Sequence, residues 1–205
     1  MAVTLTKGGR VNLTKDTGLK EAMIGLGWDT NRYQGSADFD LDLVIFECDK
    51  NKRCVDEKHM IFYHNLEDPE QAVKHSGDNR TGVGDGDDET AFIKFSNIAD
   101  NVENIVIVVT IYDAKANNQN FGLVDNAFIH MVNTENGEEI LRYDLGEDFS
   151  IQTSVVFAEI YKASGEWKFK AVGEGYAKEL DDLCREYGID VQPGKTKAQD
   201  MIELG

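Results

Sequence analysis

Cysteine is scarce in this chain of 205 residues: Cys48, Cys54 and Cys184 are the only three, and they form no C-x-x-C pair. An odd count without a spaced framework suits a reducing compartment, and small buried or half-buried thiols are the expected state. A Cys48 to Cys54 bridge across a turn is geometrically open, but nothing in the pattern supports it. Basic residues are also few, 21 Lys and Arg against 38 Asp and Glu, which gives a net charge of −17. A field of that sign repels phosphate backbones and anionic headgroups, so nucleic-acid partners are not expected and neither are acidic membranes. No stretch approaches the roughly 20 apolar residues of a spanning helix, and residues 1–10 carry no apolar run like that of a secretory leader. Direct membrane insertion is therefore not expected, and the expected compartment is the cytoplasm. Low-complexity blocks and internal repeats with a period of about 20 to 50 residues are also absent.

What is present is a folding composition. Hydrophobic residues make up 41% of the chain, with 10 Phe and 7 Tyr, which separates it from disordered acidic chains that lack aromatics. Apolar runs are short, rich in β-branched and aromatic residues, and bounded by Gly, Asn and Asp. Strands are predicted at 3–6, 10–13, 23–28, 38–46, 60–64, 91–95, 104–112, 123–132, 139–143, 153–161 and 167–172. That many short strands predict an all-β fold, a sandwich or a barrel. The run from Ile105 to Ile111 is apolar on both faces and is expected to be a central strand covered on each side. One amphipathic helix is predicted within 176–187, where Leu180, Leu183, Cys184 and Tyr187 recur at helical spacing and Gly188 ends the turn. Pro193 and Gly194 mark the end of one domain over residues 1–191. A tail follows over 192–205, in which Met201, Ile202 and Leu204 suit a short helix.

Two acidic clusters stand out. In Asp38-Phe39-Asp40-Leu41-Asp42-Leu43, strand alternation puts the three aspartates on one face, about 6.6 Å apart, with no Lys or Arg among them. A solvated acidic edge that discourages edge-to-edge association is the plain alternative, weakened because Val44 and Phe46 continue that face and the acidic patch adjoins buried surface. The second cluster runs from His75 to Glu89. Between Asp78 and Glu89 it holds five acids against one Arg, interleaved with Gly82, Gly84 and Gly86. Glycine lets backbone fold back so that carbonyls and carboxylates converge, and six to eight convergent hard oxygens at about 2.3–2.6 Å are what Ca²⁺ requires.

Known motifs fail position by position. An EF-hand begun at Asp78 puts Glu89 at the twelfth position, but its third, fifth and sixth positions are Arg80, Gly82 and Val83. Gly84-Asp85-Gly86-Asp87 is similar to a calcium β-helix repeat yet occurs once. There is no phosphate-cradling G-x-x-x-x-G-K-[ST] and no G-x-S-x-G or Cys/His nucleophile signature. His59, His64, His75 and His130 lack zinc spacing, and Trp28 and Trp167 are expected to pack rather than to present a ligand platform. Asn117-Asn118-Gln119-Asn120 is expected to be a hydrophilic turn whose backbone matters more than its amides.

Several segments together resemble the tellurium-resistance TerD family of bacterial calcium-binding stress proteins, over residues 3–191. They are Gly27-Trp28-Asp29, Phe39-Asp40-Leu41-Asp42, Ile61-Phe62-Tyr63-His64-Asn65, and Gly77-Asp78-Asn79-Arg80-Thr81-Gly82 followed by Gly86-Asp87-Asp88-Glu89. Gln119-Asn120-Phe121-Gly122 and Gly165-Glu166-Trp167-Lys168-Phe169 complete the set. The resemblance implies a β-sandwich that binds Ca²⁺ through acidic loops at one end, in a setting of resistance to tellurite and other stresses. The expected metal ligands are Asp40, Asp42, Asp78, Asp87, Asp88 and Glu89, with contributions from Asp29 and Asn79 and from backbone carbonyls near Gly77, Thr81 and Gly82. The expected role is non-enzymatic: calcium orders a surface for other proteins of a stress-resistance assembly. The rival reading is a metal-dependent hydrolase using Asp40 and Asp42, and a third is self-association through exposed strand edges.

Overall fold

In the computed structural model, residues 7–15, 18–30, 37–83, 86–145 and 149–190 are described. Their strands are β1 (Arg10–Asn12), β2 (Glu21–Gly27), β3 (Leu41–Cys48), β4 (Met60–Ile61), β5 (Val73–His75), β6 (Glu89–Lys94), β7 (Asn104–Ile111), β8 (Phe128–Asn133), β9 (Glu139–Asp144), β10 (Ser154–Ala163) and β11 (Glu166–Tyr176). They form two antiparallel sheets, one ordered β1-β11-β10-β7-β3-β4 and the other β5-β6-β2-β8-β9. This is the expected all-β sandwich.

β7 lies inside the larger sheet, and its apolar residues serve two layers. Ile105, Ile107, Val109 and Ile111 point into the core between the sheets, with Leu41, Leu43 and Ile45 of β3 beside them. Val106 and Val108 point the other way, into a second cluster with Val44, Phe46, Leu183 and Cys184. A helix, Leu180–Glu186, covers that outer face, and the Tyr187 ring just beyond it stacks on Phe46 with centroids 4.6 Å apart. Each fully buried aliphatic side chain is worth about 1.5–3 kcal/mol, so a two-faced strand is favoured only where both layers exist.

Several boundaries differ from the sequence reading. β3 starts at Leu41, not at residue 38, because the amide of Gln119 donates to the carbonyls of Ala37 and Asp38 at 3.2 and 3.1 Å. Gln119 is buried, so its amide matters after all, as does its backbone. β4 stops at Ile61: Phe62 and Asn65 close a tight turn, and Asn65 Nδ2 donates to the carbonyls of Lys58 and Met60. β5 was not predicted, being only three residues with Lys74 at its centre. A single helical turn, α1 (Ala114–Asn117), precedes Gln119, and α2 (Leu180–Glu186) is shorter than expected since Tyr176 still belongs to β11. The three cysteines are buried free thiols, with Cys48 and Cys54 opposite each other in an antiparallel bridge. The expected strand at 3–6, Gly84, Asp85 and the tail at 192–205 lie outside the described residues.

Candidate metal centre

The acidic strand face and the acidic loop meet at one end of the sandwich. β3 and β7 are in register with Asp42 opposite Thr110, and Asp42 is 2% exposed, one residue inside the strand. Asp40 precedes the strand, its carbonyl accepting from Tyr112 N at 2.8 Å. Asp78 comes from the loop between β5 and β6. One carboxylate oxygen from each of Asp40, Asp42 and Asp78 lies within 4.8 Å of the others. Two oxygens bound to a single calcium at about 2.4 Å can be at most about 4.8 Å apart, so the trio is already within the span of one ion.

The electrostatics have the signature of carboxylates gathered without enough counter-charge. Burial pushes the Asp40 carboxyl up to about 6, and neighbouring Asp78 adds to the shift. Asp42 is raised well above the ordinary carboxylate range, first by burial and then by Glu89, Asp40 and Asp78. Asp40 Oδ1 is buried and has no hydrogen-bond partner among the described residues. The cation at hand is Arg80, whose Nε lies 3.7 Å from Asp40 Oδ2 and 3.9 Å from Asp78 Oδ2, on a side chain 69% exposed. A recess of about 60 Å³ lined by Asp40, Asp42, Tyr63, His64, Asp78, Arg80 and Tyr112 opens beside the trio. All three carboxylates are hard oxygen donors, and the orphaned Asp40 oxygen adds to the match with a calcium ion.

The remaining expected ligands have other occupations. Asn79 ties the loop into a knot: its Oδ1 accepts from Thr81 N and Gly82 N, both at 3.2 Å, and its Nδ2 donates to Asp88 Oδ1 at 2.8 Å. Asp88 Oδ2 accepts from the backbone N–H of Trp28, whose ring N–H reaches the Phe39 carbonyl, both at 2.9 Å. Trp28 therefore clasps the acidic strand to the acidic loop, the packing role expected of it. Gly82 is required there, at φ +63 and with no space for a Cβ, which would sit 2.6 Å from the Trp28 ring. Glu89 is fully buried and docks the loop on β3, one oxygen accepting from Leu43 N at 2.8 Å and the other from Asn79 N at 3.2 Å. Gly77 donates its N–H to His75 Nδ1.

Asp87 and Asp29 lie away from the trio. Asp87 crosses Gly25 on the outer face of the smaller sheet to meet His130, whose Nε2 is 2.9 Å from Asp87 Oδ1 and whose Nδ1 is 2.9 Å from Glu139 Oε2. Asp29 accepts from Asn126 Nδ2 at 2.8 Å. Sequence reading missed Arg80, Tyr63 and Tyr112 as neighbours of the trio and His130 as the partner of Asp87. No spacing rule reveals a pairing set by the β2, β8 register.

A two-sheet sandwich with an acidic, oxygen-only centre between strand and loop defines the class of this protein. The TerD domain model matches residues 1–187, and the chain belongs to the TerD family. A Bacillus subtilis protein named Uncharacterized protein YceE is 54% identical over 93% of this chain and 100% of its own length. The tellurium resistance protein TerD of Serratia marcescens is 48% identical, covering 93% of this chain and 99% of the relative, and general stress protein 16U of B. subtilis is also 48% identical over 93% of this chain and 100% of the relative. A crystal structure described as a homologue of telluride resistance protein from Streptomyces coelicolor A3(2) superimposes with a TM-score of 0.70 at 20% identity, covering 82% of this chain and 95% of that one. At that identity the likeness speaks for the fold alone. The family is one of tellurium and stress resistance. Among the described residues no helix is long and apolar enough to cross a membrane.

Proposed function

We propose that the chain is a calcium-binding protein of a tellurite and stress-resistance system, acting in the cytoplasm without catalysis, in which the ion orders a surface for partner proteins of the same assembly. The observation that carries this reading is the convergence of Asp40, Asp42 and Asp78 within 4.8 Å, with one carboxylate oxygen orphaned. These three are the proposed carboxylate core. Asn79, Asp88 and Glu89 would hold the loop that presents Asp78, and carbonyls near Gly77, Thr81 and Gly82 are the proposed source of further oxygens. Bound calcium would supply the divalent charge that offsets the mutual repulsion of the trio. The names of the relatives, TerD and general stress protein 16U, support the biological setting. Calorimetric titration with CaCl₂, and with MgCl₂ as control, tests the reading. Saturable calcium binding that is lost in Asp42→Asn is expected, and no binding by the unaltered chain would refute it. Pull-down from the host with and without chelator tests the surface.

One observation favours the hydrolase alternative: His64 lines the recess at the trio and offers a base beside a metal. Metal-dependent turnover of a phosphoester that disappears in His64→Ala would establish it in place of the non-catalytic reading.

A further inference from the structure

Next to the metal centre lies a larger cavity, about 610 Å³, whose lining includes Asp42, Tyr63, Tyr112, Asp113, Glu179 and Asp181. It sits where α1 approaches the start of α2, the two rims being tied by the hydrogen bond from Lys115 N to Glu179 Oε1 at 3.3 Å. Its volume is that of small-molecule sites, roughly 300–1,000 Å³. Asp42, 2% exposed, forms part of its floor, and among the described residues the oxygen Oδ1 of Asp42 accepts no hydrogen bond.

The sign of the lining selects the ligand. Four carboxylates, Asp42, Asp113, Glu179 and Asp181, face one ammonium, Lys115. Asp42 drops from the count if a metal or a proton takes its charge, and Asp181 has Arg185 3.8 Å away. Asp113 and Glu179 then still outnumber Lys115, so the lining is negative in every state. Burial raises the Asp181 carboxyl above its ordinary value, and Arg185 offsets part of that shift. The rings of Tyr63 and Tyr112 add faces that attract ammonium groups, while Ile111, Ala116 and Leu180 offer apolar wall for methylenes.

We infer that this cavity is a binding site for a small aliphatic amine, with ammonium groups held by Asp113 and Glu179 and a hydrocarbon chain laid against Ile111, Leu180 and the two tyrosines. The inference does not rest on calcium occupying the trio, because the lining keeps its sign with or without the ion.

Calorimetric titration of 1,4-diaminobutane into the full chain tests it, run with calcium and with chelator, with 1,4-butanediol and succinate as neutral and anionic controls. Saturable binding of the diamine is expected in both conditions, and none of either control. Asp113→Asn should weaken binding and Lys115→Ala should tighten it, each by about two- to fivefold, the range for partly exposed charge pairs. Asp100→Asn, on exposed surface outside the cavity lining, should change nothing. Absence of saturable binding overturns the inference, as does equal binding of butanediol or weaker binding in Lys115→Ala. Loss of diamine binding on adding calcium also overturns it, since the amine would then be occupying the trio itself. Failure of calcium to bind in the same runs would refute only the metal reading.

Discussion

Thr110 Oγ1 lies 3.5 Å from Asp42 Oδ2, the one hydrogen bond the Asp42 side chain makes among the described residues, in a layer whose next residues along both strands are Val44 and Val108. One long hydrogen bond from a neutral hydroxyl does little to compensate a buried carboxylate, so the metal-free fold holds Asp42 at a cost. Asp42→Asn is expected to abolish calcium binding while leaving the metal-free protein as stable as the wild type or more so. Calorimetry and thermal melts in chelator measure the two effects, and a variant that still binds calcium normally would remove Asp42 from the centre.

Calcium should also stabilise the wild type. A ligand that binds only the folded state contributes about 2.7 kcal/mol at a hundredfold excess over its Kd. A melting temperature that does not move between saturating calcium and chelator would contradict the coupling of this site to the fold.

Arg80 is the resident cation of the trio, near both Asp40 and Asp78. It competes with a metal for the same carboxylates, so Arg80→Ala is expected to tighten calcium binding by up to about fivefold, the scale of an exposed ion pair. Titration of the variant decides, and weaker binding would mean that Arg80 orders the loop instead.

Asn79 holds three side-chain hydrogen bonds within the acidic loop. At roughly 1 kcal/mol each, Asn79→Ala should cost about 1–3 kcal/mol of local order. Amide hydrogen exchange over residues 78–83 should rise in the variant, while exchange in β7 stays unchanged. Uniform change across both segments would show a global rather than a local loss.

Glu47 is fully buried in β3 far from the trio, and among the described residues both its carboxylate oxygens lack hydrogen-bond partners. Burial, aided by Asp68, Glu70 and Asp56, pushes it up to about 8; His59 stands close by, bridging Asp56 and Glu70. Its folded value is raised above the unfolded one. The associated stability is therefore complete below about pH 4.5 and is lost as pH rises through about 8, to an extent on the order of 5 kcal/mol. Glu47→Gln should flatten the melting profile between about pH 5 and 8 and melt above the wild type at the alkaline end. Parallel profiles would show that Glu47 does not ionise in this range.

Much of the sandwich could be read from local pattern. The double-faced apolar run from Ile105 to Ile111, the alternation from Leu41 to Phe46, and the i, i+3, i+4, i+7 set ending at Tyr187 are properties of neighbouring residues, and a period of 2 or 3.6 is fixed by backbone geometry alone. β5 escaped because three residues with an exposed Lys74 carry no period, and their pairing with β6 supplies the stability that local preference does not. The sequence by itself determined that carboxylates would be concentrated in two places, and composition made oxygen chemistry the natural reading of both. Which of them meet was decided only in three dimensions. Asp78 reaches Asp40 and Asp42 because Glu89 and Trp28 pin the loop to β3, whereas Asp87, next to Asp88 in the chain, crosses Gly25 to His130 on the outer face of the other sheet. Asp88 stands at a bend just before β6 and accepts from Trp28 N, while Asp87 reaches His130 across β2, so two adjacent acids of one motif were sent to different partners by the pairing of β2 with β6 and β8, a choice made by distant strands rather than by the loop.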